Sequence, residues 1–203
     1  MADQQPTSEK ALLEAMKNSW TEQLRFFSNA GKEERERWVV AEFLGLLSVM
    51  FTADELRSPE QQSKVDVAFR EARFQVKEIL NPETHRGAEV KETYHRVIAA
   101  QTLQETVGPG FVYDTPSPSN SYDLIREKAR ELGLSETYRK HKHDLDLLFY
   151  ITRTHTSRIQ PKEIKISELS ILGWRSISCL MGNQAHVLFA RSDAPCFLIT
   201  SKF

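Results

Sequence analysis

Cysteine is scarce: the 203 residues contain two, Cys179 and Cys196, in neither a CxxC nor a zinc-ligand spacing. Without a disulfide framework or a cysteine metal cluster, a reducing compartment is the simpler reading. No segment reaches the roughly 18 apolar residues of a membrane span. Residues 1 to 20, MADQQPTSEKALLEAMKNSW, lack the basic stretch, apolar run and small-residue cleavage site of a signal peptide. A cytoplasmic protein with no membrane partner is therefore expected. Net charge is also small, at -1. A nucleic acid would have to be met by a local patch rather than by the whole surface.

The length suits one domain, 1–203, with a full core of its own. Thr7 or Ser8 can cap a helix that carries Leu12, Leu13, Met16, Trp20, Leu24 and Phe27 at helical spacing and stops near Gly31. A second helix is expected over 32–51 and another over 89–107, ended by Gly108, Pro109 and Gly110. Residues 108–121, GPGFVYDTPSPSNS, read as a flexible loop. A helical pattern runs from Asp123 to His141, with Gly133 ending or dividing it and Ser135 as a fresh N-cap, after which the texture changes. LDLLFYITRT, KEIKISEL, GWRSISCLM, AHVLFARS and CFLITSK are short apolar runs that read as a β-rich C-terminal part, with SDAP as a hairpin turn. The fold class is α/β, with a central mixed sheet flanked by helices.

The most informative stretch is residues 64 to 80, KVDVAFREARFQVKEIL. Val65, Val67 and Phe69 alternate with Asp66 and Ala68, and Phe74, Val76 and Ile79 surround Gln75 and Lys77. Side chains alternate faces along a strand, so two strands joined at Arg70, Glu71 and Ala72 bring Asp66 beside Gln75 and Lys77. An acid, an amide and an amine on one sheet face suit a divalent cation and a phosphodiester; the bland alternative is a half-exposed polar face with a surface ion pair. Upstream, Glu42 is the one carboxylate in the apolar run WVVAEFLGLLSVMF. It lies either at the margin of the buried stripe, paired with an arginine, or at a site.

Glu42, then Asp66, then Gln75 and Lys77 resembles the pattern of the PD-(D/E)xK nuclease superfamily, whose core is a helix, a three-stranded meander, a helix and a further strand. EFLGLLSVMF, EQQSKVDVAFREARFQVKEI and GWRSIS also resemble a bacterial family that carries the label "putative endonuclease". The resemblance implies a restriction-endonuclease-like core and hydrolysis of nucleic acid, DNA first. It implies Mg²⁺ or Mn²⁺ as cofactor, held by Asp66, Gln75, Glu42 and the main-chain carbonyl of Val76, with Lys77 orienting the attacking water. Two departures stand out: Val65 replaces the usual Pro, and Gln75 the usual acid. A neutral amide binds Mg²⁺ less strongly than a carboxylate, so a catalytically degenerate module that binds nucleic acid or protein is the alternative.

Residues 139 to 175 hold eight Lys/Arg against four Asp/Glu. Arg139, Lys140, Lys142, Arg153 and Arg158 are the candidate phosphate contacts. His141 and His143 would share a strand face if the RKHKHD segment were extended, but a charged loop is the plainer reading. Cys179, His186 and Asp193 could compose a thiol triad, against which stands the apolar setting of both cysteines. A homodimer is expected only from the commonness of twofold assemblies.

Overall fold

The structure, a computed structural model, describes residues 8–60, 63–80, 86–108, 118–152, 159, 162 and 164–201. It divides into two compact units, one of Met1–Arg35 with Pro82–Tyr113 and the other of Glu36–Asn81 with Asp114–Phe203.

In the first unit, α1 (Glu9–Phe27) starts where the sequence predicts, with the Ser8 hydroxyl accepting the Ala11 N–H at 3.3 Å. It packs on α3 (Arg86–Ala99), and Leu13 and Val97 are buried. The single helix expected over 89–107 is two. The Ala100 N–H closes α3 on Arg96 and Val97, and α4 (Leu103–Thr106) restarts after it, with the Glu105 carboxylate taking the Gln101 N–H at 2.8 Å. The helix α2 (Lys32–Leu46) leads from this unit into the second.

The second unit is built on five strands: β1 (Val67–Phe69), β2 (Ala72–Ile79), β3 (Asp146–Ile151), β4 (Ser176–Met181) and β5 (Gln184–Ala190). They lie in sequence order across the sheet, antiparallel at the β1–β2 and β4–β5 pairs and parallel between β2, β3 and β4. Arg57 adds an antiparallel bridge to Ala68 outside β1. On one face Val39, Val40, Phe43 and Leu44 of α2 pack with Phe74, Val76, Leu148 and Leu180. On the other, Ile125 and Ala129 of α5 (Pro118–Leu134) pack with Leu147, Phe149, Ile177 and Trp174. Among the described residues no helix is long and apolar enough to cross a membrane.

Several expected boundaries move. Helix α2 stops at Leu46 rather than 51, because Ser48 takes a left-handed backbone (φ 58°) and the Val49 N–H turns back to the Leu44 carbonyl at 3.0 Å. Helix α5 ends at Leu134, beside the Gly133 break, and does not run on to His141; residues 109–117 of the expected loop lie outside the described residues. Where strands are expected at KEIKISEL and CFLITSK, the described residues form α6 (Ile166–Ser170) and α7 (Cys196–Thr200). Runs this short carry too little periodicity to separate a strand from a helical turn. The hairpin turn lies at Gly182 and Asn183, between β4 and β5, and SDAP leads into α7 instead.

One charge is completely buried. Asp146, with 0% exposure, opens β3 and accepts Nε of Arg175 (3.0 Å), the Ser176 hydroxyl (2.8 Å) and the Arg73 N–H (2.9 Å). Arg175 Nη2 reaches the same carboxylate and donates to the Glu71 carbonyl at 3.0 Å. Removing one partner strands the other charge in a dry interior. Asp146→Ala should therefore lose about 3–5 kcal/mol of stability in urea denaturation. Ser48→Gly, which relieves a left-handed non-glycine, should gain about 0.5–1 kcal/mol in the same measurement.

Candidate functional site

Asp66 sits one residue before β1 and is tied to the neighbouring strand twice. Its N–H donates to the Phe74 carbonyl at 2.8 Å, and its Oδ2 accepts the Val76 N–H at 2.9 Å. Gln75 Nε2 donates to the same oxygen. The tight turn explains why the two strands meet in this register. Arg70 holds a left-handed backbone (φ 50°), its guanidinium donating to the Met50 carbonyl (2.9 Å) and Glu55 Oε1 (3.2 Å). The Glu55 carboxyl lies below the usual carboxylate range, first because it accepts the Thr52 N–H and further because of Arg70.

Gln75 and Lys77 share the sheet face of Ile79, which belongs to the α5 side of the core. Gln75 is buried, at 2% exposure, and Lys77 is half-buried, its Nζ 5.6 Å from the centre of the Tyr138 ring. Val76 points to the α2 side, but its N–H and carbonyl both face the β1 edge, since a strand residue presents both groups to one neighbour. Asp66 is thus in contact with Gln75 and the Val76 N–H, and Lys77 lies two residues further along on the Gln75 face.

Glu42 is not brought to them. It is exposed and lies with Trp38, Tyr150 and Leu180 on the α2 face, opposite Gln75 and Lys77. The buried acid of that helix is Glu36. Among the basic residues, Arg139 and Lys140 are exposed and directly follow Tyr138 in the chain. Lys142 is half-buried instead. Its stem runs so close to Gly133 and Gly173 (φ 79°) that a Cβ on Gly133 would lie 3.2 Å from its Nζ. Arg153 and Arg158 lie outside the described residues. His141 and His143 do not share a strand; they are exposed in the turns before β3, with His143 3.3 Å from Asp144.

The donor set for a cation is therefore one carboxylate, one amide and one carbonyl. Among the described residues no group of three or more His, Cys, Asp or Glu is arranged to hold a metal. Mg²⁺ commonly keeps several of its waters and takes only one or two carboxylates, so this set fits such an ion held largely through water. Rotating the Gln75 amide by half a turn would present its oxygen beside Asp66, and the side chain has the freedom of assignment any amide has. The sequence missed Tyr138 as the partner of Lys77 and missed Asp146. A lone acid opening the apolar run LDLLFYI was the available signal for Asp146.

The fold and the donor set define an α/β protein with a five-stranded mixed sheet and a polar centre at its β1–β2 hairpin. The chain belongs to the family described as "Putative endonuclease, protein of unknown function (DUF1780)", whose model matches residues 8–202. A solved structure from Pseudomonas aeruginosa strain PAO1, described as a protein of unknown function of the monooxygenase superfamily, is similar to it. The two are 26% identical with a TM-score of 0.54, over 97% of this chain and 93% of that one. No curated protein matches the chain.

The thiol triad is disfavoured by chemistry. Cys179 and His186 are cross-strand partners, but Cys179 is fully buried and burial pushes its thiol up to about 12. Iodoacetamide at about pH 8 should alkylate the exposed Cys196 and leave Cys179 intact until the protein is denatured, as read by peptide mass spectrometry.

Proposed function

We propose that the protein is a metal-dependent nuclease of the PD-(D/E)xK type, with its centre at Asp66, Gln75 and Lys77. The observation that carries this is the Asp66 carboxylate lying across the hairpin on the Val76 N–H, with Gln75 and Lys77 on the adjoining face. The element order supports it. Helix α2, the Arg57 bridge with β1 and β2 as an antiparallel meander, α5, and β3 parallel to β2 follow the order of a restriction-endonuclease-like core.

In this reading Asp66, the Gln75 amide oxygen and the Val76 carbonyl hold Mg²⁺ or Mn²⁺, and Glu42 takes no part. When bound, the ion would neutralise phosphate charge and ease deprotonation of a water. The Lys77 ammonium, kept in place against Tyr138, stabilises the negative charge that develops on the phosphate and orients the water. Arg139 and Lys140 contact the backbone phosphates of a DNA substrate, positioning it without reading its sequence. The monooxygenase description of the similar P. aeruginosa structure is not carried over, because Asp66, Gln75 and Lys77 are acid–base and electrostatic groups.

A second reading, a nuclease fold that binds nucleic acid without cutting it, is favoured by one observation. Glu42 lies on the far face and leaves Asp66 as the single carboxylate. Cleavage of plasmid DNA in Mg²⁺ or Mn²⁺ separates the two. Asp66→Ala and Lys77→Ala should each lose about 100-fold or more in rate with unchanged circular dichroism. Equal cleavage by both variants and the parent rejects the proposed centre. Gln75→Glu should lower the Mg²⁺ concentration needed for half-maximal rate, because a second carboxylate strengthens the site. The binding-module reading predicts DNA retention that falls steeply with salt and no turnover with either metal.

A further inference from the structure

Three residues form a row across the β1 edge of the sheet, on the side of Gln75 and Lys77. Arg57 exchanges both main-chain hydrogen bonds with Ala68 (3.0 and 2.8 Å), and Ala68 is the register partner of Arg73. Residues paired across neighbouring strands project to the same side. Their chain neighbours Leu56, Val67, Phe69, Ala72 and Phe74 all belong to the core on the α2 side, so Arg57, Ala68 and Arg73 project to the other. Both arginines are exposed. Their backbones lie two strand spacings apart, about 10 Å, with only the short side chain of Ala68 between them.

Among the described residues neither guanidinium makes a hydrogen bond or an ion pair. Other arginines nearby are occupied: Arg70 in the adjoining turn by Glu55 and the Met50 carbonyl, and Arg175 by Asp146. A cation at a sheet edge can serve simply to discourage pairing with another sheet, and that would account for Arg57 alone. It does not account for Arg73, because β2 is paired on both sides, with β1 and with β3. Two guanidinia flanking an alanine suit a phosphate group, whose oxygens accept from both planar forks at once. The next residue of β2 on the same side is Gln75, whose amide meets Asp66. The arginine row therefore lies about 7 Å along the sheet from the proposed metal centre, a distance close to the separation of consecutive phosphates in one nucleic-acid strand.

We propose that Arg57 and Arg73 together grip a backbone phosphate beside the one at the metal centre, so that the ligand is a nucleic-acid strand continuing across β1 rather than a mononucleotide or free phosphate. The choice of ligand rests on the nuclease reading, but the grip is measured without cleavage. Fluorescence anisotropy of a fluorescein-labelled DNA duplex with the full chain in EDTA is the assay. Arg57→Gln and Arg73→Gln should each weaken binding roughly fivefold and reduce the slope of log affinity against log salt by about 0.9. Ala68→Glu, which sets a carboxylate between the guanidinia, should abolish binding. All three should keep the parent's circular dichroism, since the ladder bonds of the row are main-chain bonds. Lys10→Gln, which removes one exposed charge of α1, should change neither affinity nor slope. Parental binding and slope in both arginine variants overturn the grip even where cleavage depends on Asp66. An arginine effect with no metal-dependent cleavage by the parent retains the grip while the nuclease reading fails. An equal loss in Lys10→Gln, or displacement of the duplex by inorganic phosphate beyond that by sodium chloride of equal ionic strength, also overturns it.

Discussion

A carboxylate sealed from water, Asp146, sets the terms for the larger unit. A charge in that position is tolerable only with a complete shell of donors, and Arg175, Ser176 and the Arg73 N–H supply it. Those donors come from β2, from β4 and from the residue just before β4, and Arg175 also holds the β1–β2 turn through the Glu71 carbonyl. One ion pair thus aligns the starts of the three parallel strands with the hairpin. The pairing of Gln75 with Leu147 and Lys77 with Phe149 follows from that alignment. A one-residue slip would exchange the faces of both polar side chains and bury the wrong set.

The sheet that results keeps two chemistries apart. On the α5 face, Gln75 donates to Asp66, and Lys77 lies on the same face with its Nζ near the Tyr138 ring. On the α2 face, Glu42 is exposed and lies with Trp38 and Tyr150. The strand period of two is the cause: Val76 and Glu78 must face away from Gln75 and Lys77. Residues separated by one position along the chain therefore serve opposite surfaces.

Much of this was legible in order of elements. The cap at Ser8, the hairpin at 64–80 and the strand character of 146–151, 176–181 and 184–190 follow from local steric and hydrogen-bonding preferences, whereas the C-cap of α1 is Ser28 rather than Gly31. What misled was the apolar run without a period. WVVAEFLGLLSVMF looks uniformly buried, yet Trp38 and Glu42 face outward while Val39, Val40, Phe43 and Leu44 face the sheet. KEIKISEL and CFLITSK failed for the same reason at shorter length, each offering barely one turn of helix.

The grouping of Asp66 with Gln75 and Lys77 is a property of the amino-acid order, because a short hairpin joins neighbours in the chain and alternation sorts their faces. The exclusion of Glu42 from that group could not be read the same way. Which side of a sheet a helix covers depends on the packing of Phe43 and Leu44 against Phe74, Leu148 and Leu180, the last two more than a hundred residues further along the chain. Local geometry follows from steric rules acting over a few residues, whereas the side on which a helix docks is decided by the burial of the whole core.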